Sequence, residues 1–254
     1  MNAKVLQLTG DIDIAYLGPP LEEGPLPAIF YFALSAEESL SLDPYNQPAV
    51  YLANFPVRIF SFDLPAHGAG LNAIDAIKVW AQGFAQGEDP LVPFLDKVTR
   101  ALDMLLEKRL LTREKIGFMG LSRGGLISSL VATRFPSVRA LVHFAPLTKL
   151  TNAKEFEELK ENDAAIQYDL QNYLPALCDK KMRIYIGNRD TRVGTDLATK
   201  WALNLANTGF ENGERSPPVE LTLTPSIGHM GHGTSKETFE AGAEWLGKTL
   251  GIIR

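Results

Sequence analysis

The hexapeptide Gly120-Leu121-Ser122-Arg123-Gly124-Gly125 places a serine with a glycine two positions away on either side. An apolar, strand-like run, 115–119, enters it, and a small-residue, helix-like run, 125–134, leaves it. A serine on so sharp a strand-to-helix turn sits in strained backbone, and side chains two residues away would collide. The turn lifts the hydroxyl above a sheet and sets it at a helix N-terminus, where negative charge is favoured. The backbone N–H of Arg123 then points at a developing oxyanion. The chemistry these residues suit is attack by Ser122 on an acyl carbon; the plainer reading is a glycine-rich turn with a chance serine. The flanking strand and helix favour the first.

A serine nucleophile needs a general base, and the base needs an orienting acid. The chain has four histidines. His143 lies within Leu141-Val-His-Phe and reads as a core residue, and His67, in Asp63-Leu-Pro-Ala-His-Gly, reads as structural or site-lining. His229 and His232 share Ser226-Ile-Gly-His-Met-Gly-His-Gly, after the last strand-like run. His229 comes first and nearest the strand, so it is the preferred base, with His232 as the alternative. For the acid, Asp190 in Gly187-Asn-Arg-Asp-Thr-Arg-Val follows the run 182–186, with Asp196 as a second candidate. Capping a helix near Thr195 is the structural alternative for Asp190. The chain order serine, aspartate, histidine matches one fold class of serine hydrolase. The Arg123 side chain could meet an anionic substrate group, although local packing is the commoner role of such a residue.

Strand-like runs at 5–8, 11–17, 28–34, 57–62, 115–119, 138–144, 182–186 and 219–223 alternate with helical patterns. Residues 93–109 carry Phe94, Val98, Ala101, Leu102, Leu105 and Leu106 on one helical face. That alternation predicts an α/β fold, a mostly parallel sheet of about eight strands flanked by helices, with an antiparallel hairpin leading. One domain is expected over 1–254. Residues 145–181 separate two strands by far more than the roughly dozen residues a crossover needs. They read either as a small helical cap at about 148–178 or as an ornate crossover.

These segments resemble the α/β-hydrolase superfamily, and within it the dienelactone hydrolase and prolyl-oligopeptidase-type serine hydrolases. The resemblance runs over nearly the whole chain and rests on Phe62-Asp-Leu-Pro-Ala-His-Gly, the serine turn, and the Asp190 and His229 loops. It implies Ser122 as nucleophile, Asp190 as acid and His229 as base. Two departures stand out. The third strand ends Phe32-Ala-Leu-Ser35 without the His-Gly-Gly loop of many esterases, so the second oxyanion donor would be the N–H of Leu34 beside that of Arg123. Dienelactone hydrolases proper use cysteine; here the position is Ser122, and their substrate is not carried over.

Composition limits the alternatives. With 25 Lys+Arg against 30 Asp+Glu, net −5, the chain lacks the basic surface expected of a nucleic-acid binder. No apolar run approaches a membrane span, and the first residues lack a secretory-signal layout. The lone Cys178 excludes an internal disulfide. A cytoplasmic location is expected. Gly242-Ala-Glu-Trp-Leu-Gly-Lys-Thr matches a phosphate-binding loop in letters, but it lies inside an amphipathic helical run. His229 and His232 have metal-like spacing without a third ligand pattern, so no metal or cofactor is expected. The sequence therefore predicts a serine hydrolase acting on a small-molecule carboxylic ester or related acyl compound. A peptidase, a thioesterase or a non-catalytic hydrolase-like binding domain are the alternatives, and oligomeric state is left open.

Overall fold

A computed structural model describes residues 3–68 and 70–254. Its strands are β1 (Lys4–Thr9), β2 (Ile12–Leu17), β3 (Leu26–Phe32), β4 (Arg58–Ser61), β5 (Leu111–Leu121), β6 (Ala140–Phe144), β7 (Lys181–Gly187) and β8 (Val219–Thr224). They form one sheet in the order β1-β2-β4-β3-β5-β6-β7-β8. The leading hairpin is antiparallel, as is its junction with β4, and β4 through β8 run parallel. The helices are α1 (Ala36–Ser41), α2 (Gln47–Leu52), α3 (Ala76–Ala85), α4 (Leu91–Glu107), α5 (Arg123–Arg134), α6 (Asp163–Ile166), α7 (Leu174–Leu177), α8 (Thr195–Glu211) and α9 (Lys236–Thr249). This is the α/β-hydrolase architecture, and the sequence pattern placed each strand within a few residues.

Central strands are mostly apolar because both faces of the sheet are covered. On β3, Phe30 and Phe32 face one core layer with Phe62 and Phe118, against α4 and α5. Its alternate residues Ile29 and Tyr31 face the other layer, with Met119, Phe144, Phe239 and Leu246 beneath α9. The stripe on α4 packs as its spacing dictates, burying Phe94, Val98, Ala101, Leu102 and Leu105. The phosphate-loop look-alike lies within α9, where a Cβ on Gly242 would come within 2.6 Å of the Phe144 ring. That glycine serves helix-on-sheet packing.

The long connection between β6 and β7 contains 3₁₀ turns with α6 and α7. It is fastened to α3 and the turn after it. Phe156 and Tyr168 both pack on Phe84, and the Tyr168 hydroxyl donates to Asp89 Oδ2 at 2.6 Å.

At the far end of the sheet, Arg58 on β4 is fully buried. Its Nε donates to Pro19 O at 3.2 Å, Nη1 to Gly24 O at 2.8 Å and Leu110 O at 2.7 Å, and Nη2 to Pro20 O. One guanidinium thus organises the proline-rich turn before β3 and the entry to β5. Replacing it as in Arg58→Met leaves the Pro19 and Gly24 carbonyls without donors, since Pro20 O and Leu110 O also accept from Glu23 N and Leu26 N, at about 1–3 kcal/mol for each that stays dry. Thermal melting should fall by roughly 5 °C or more; an unchanged melting temperature would show that the turn holds itself.

His143 is buried in β6 with Nε2 3.1 Å from Ser128 Oγ and 3.2 Å from Ser129 Oγ. Burial pushes its pKa down to about 3. The unfolded chain protonates this ring near its ordinary value of about 6.5, so between pH 6.5 and 3 the unfolded state binds more protons. The stabilisation is complete above that range and drains as pH falls, by up to about 1.4 kcal/mol per unit. Burial lowers His67 as well, with the same sign. Denaturant unfolding at pH 7, 5 and 4 should show the decline, and His143→Gln should flatten it; parallel curves for the two proteins would contradict the assignment.

Candidate active site

Ser122 caps the N-terminus of α5 with φ 55° and ψ −118°. A side chain held there costs about 1–3 kcal/mol and persists only where neighbours over-determine it. They do so here. Ser122 N–H donates to Phe144 O at 2.8 Å, and its carbonyl accepts from Gly125 N at 2.9 Å and Leu147 N at 3.0 Å. The flanking glycines are steric necessities: a Cβ on Gly120 would fall on the Gly124 carbonyl, and one on Gly124 on the Phe32 carbonyl. As the first residue of the helix, Arg123 has an N–H without an intrahelical acceptor.

Asp190 follows β7 and is buried, its side chain fully so. Its Oδ1 accepts from the N–H groups of Arg192 at 2.9 Å and Val193 at 3.1 Å, which shape the loop. Its Oδ2 lies 2.7 Å from His232 Nδ1. The other nitrogen of that ring, Nε2, is 2.8 Å from Ser122 Oγ. A carboxylate only accepts, so Nδ1 carries the proton and Nε2 is left to accept from the serine hydroxyl. The alternative acid, Asp196, is exposed in the first turn of α8.

The histidine in this line is His232, which corrects the preference for His229. Nearness to the strand is the wrong measure because the loop doubles back. Ile227 and Gly233 form an antiparallel bridge, and Gly228, Met230 and Gly231 take φ of 71°, 56° and 74°. His229 is carried out to the exposed tip, while His232 stands at the base beside Gly233. The loop is fixed to the aspartate loop by Thr191 N donating to Met230 O at 2.9 Å and Arg189 N to Ser226 Oγ at 2.6 Å.

Leu34 also needs correction. Its N–H, expected to face the oxyanion, donates to the buried Ser39 Oγ at 3.0 Å, where α1 turns back on the end of β3. His67 does not line the cavity at the serine but supports a residue that does: Nδ1 lies 2.9 Å from Pro65 O, and Nε2 accepts from Arg123 Nη1 at 3.2 Å. His143 is a core residue, as its setting in the sequence implies.

Two residues escaped sequence reasoning. Glu155, from the β6–β7 connection, receives both Nη1 and Nη2 of Arg192, at 3.0 and 2.8 Å. Its acidic surroundings in the sequence give no sign of which carboxylate would pair. A cavity of about 50 Å³ opens beside the serine, lined by Arg123, Arg192, His232, Ile77, Leu147 and Val193 among others. Among the described residues no group of three side chains gathers as metal ligands would, and no helix is long and apolar enough to cross a membrane.

Among solved structures, TT1662 from Thermus thermophilus superimposes with a TM-score of 0.70 at 13% identity, covering 98% of this chain and 99% of that one. An S-formylglutathione hydrolase from Agrobacterium tumefaciens gives 0.64 at 15% identity, covering 99% and 95%. Dipeptidyl peptidase 4 from Porphyromonas gingivalis gives 0.69 at 14% identity, covering 97% of this chain; this chain spans only 35% of that protein. At such identities the likeness is one of fold. No curated protein sequence matches the chain. The sequence profile of the prolyl oligopeptidase family matches residues 92–252, a stretch that carries Ser122, Asp190 and His232, and the chain belongs to that family.

Proposed function

We propose that the protein is a serine hydrolase that cleaves a carboxylic ester or related acyl compound by way of an acyl-enzyme. The observation that carries this is the unbroken hydrogen-bonded line from Asp190 through His232 to Ser122. In this reading His232 Nε2 takes the Ser122 proton as Oγ attacks the carbonyl carbon. It then delivers that proton to the leaving group and activates water for the second half-reaction. Asp190 holds the imidazole in the required tautomer and stabilises the imidazolium that forms. The Arg123 N–H receives the oxyanion, and the Leu34 N–H becomes a second donor only by leaving Ser39.

The matched family is described as one of oligopeptidases, which supports peptide cleavage as the second reading. The acyl donor is fixed by the site and not by the fold. A panel of esters, thioesters and peptide anilides separates these readings.

A fluorophosphonate probe followed by intact mass tests the chemistry. One adduct is expected on the wild-type protein and none on Ser122→Ala. His232→Ala should slow labelling by about a thousandfold or more, and His229→Ala should slow it by no more than a few-fold. Equal losses in the two histidine variants would overturn the assignment of His232. A folded wild-type protein that takes no label would point to a binding domain instead.

A further inference from the structure

The Arg123 guanidinium is a largely buried cation whose hydrogen bonds, among the described residues, all go to neutral groups. Nη1 donates to Ala73 O at 2.6 Å and to His67 Nε2 at 3.2 Å. His67 brings no charge, because its Nδ1–H is committed to Pro65 O and burial keeps the ring neutral. Arg192 lies near enough to oppose Arg123, and its own forked ion pair occupies both oxygens of Glu155. Asp190 is likewise engaged, by two backbone N–H groups and His232. Two guanidiniums face two carboxylates, Glu155 and Asp190, so the charges balance in number, but Arg123, unlike Arg192, has no carboxylate in hydrogen-bond contact among the described residues. Burial first, and Arg192 second, lower the Arg123 pKa to about 10, and the nearby charge of Glu155 offsets this only in part.

Both arginines line the small cavity beside Ser122 and His232, whose remaining walls include Ile77, Leu147 and Val193. We propose that this cavity receives an acyl group bearing one carboxylate, seated on Arg123 next to Arg192, a few bonds from the carbonyl that Ser122 attacks. The nucleophile's role rests on the serine-hydrolase reading; the anion subsite does not. A planar carboxylate matches the fork of a guanidinium, and the cavity that both arginines line opens directly beside Ser122 and His232. The carboxylate has two natural sources: an acidic residue on the acyl side of a peptide bond, or the free end of a dicarboxylic half-ester.

Binding to Ser122→Ala, read by calorimetry, compares monomethyl glutarate with methyl glutaramate, which differ in the charge and not the shape of the far group. The acid is expected to bind at least about tenfold more tightly. Adding Arg123→Gln should erase the difference, and Arg123→Lys should keep part of it. Equal binding of the two compounds to folded Ser122→Ala overturns the proposal, and that comparison needs no change at Arg123. Turnover by the wild-type protein then separates the sources. A preference for N-acetylglutamyl over N-acetylglutaminyl p-nitroanilide marks the peptide, and one for monomethyl glutarate over methyl glutaramate marks the half-ester. No charge preference in either pair, with both hydrolysed, overturns the subsite while leaving the hydrolase intact. A binding difference in a protein that takes no fluorophosphonate label does the reverse.

Discussion

Helix α5 lies against the end of β3 so closely that a side chain at position 124 would occupy the space of the Phe32 carbonyl oxygen. This approach sets the position of everything at the candidate site. It forces the chain leaving β5 to reverse within one residue, and that residue is Ser122, held at a φ of 55°. Its backbone is then clamped from the other side by Phe144 and Leu147, where the chain leaves β6. The serine is therefore presented by rigid elements on both sides, and its conformational strain is balanced by packing in the core beneath it.

Parallel strands deliver their following loops to one edge of a sheet, so β5, β7 and β8 bring serine, aspartate and histidine together from widely separated parts of the chain. The three are not mounted alike. Ser122 is fixed by backbone geometry. Asp190 is fixed by burial and by two N–H groups of its own loop. His232 is fixed mainly through contacts with the Asp190 loop, since the strand before it lies at the margin of the sheet. The β6–β7 connection joins this assembly through Glu155, which grips the arginine two residues beyond Asp190.

What could be read from the sequence follows the range of the interactions. The sheet, the stripe on α4 and the serine turn are local patterns, and each is legible because period and glycine spacing have one steric meaning. The histidine required knowing that Gly228, Met230 and Gly231 all turn left-handed; one of these is not glycine, and nothing in its neighbours announces it. The amide of Leu34 was lost to Ser39, five residues on, a bond that depends on how α1 folds back. Arg58 hides in an otherwise ordinary strand, because its partners are carbonyls up to 52 residues away, which have no sequence signature.

The marginal position of β8 has a consequence for how such a site fails. That strand is hydrogen-bonded along one side only, to β7, and its exposed residues include Leu223. A local opening of β8 would leave His232 held only by the contacts of its loop with the Asp190 loop, while β5, α5 and the packed layers around them stay closed. Inactivation and unfolding are then separable events. Loss of those loop contacts alone would withdraw the proton acceptor and leave the serine still strained and presented on its rigid turn.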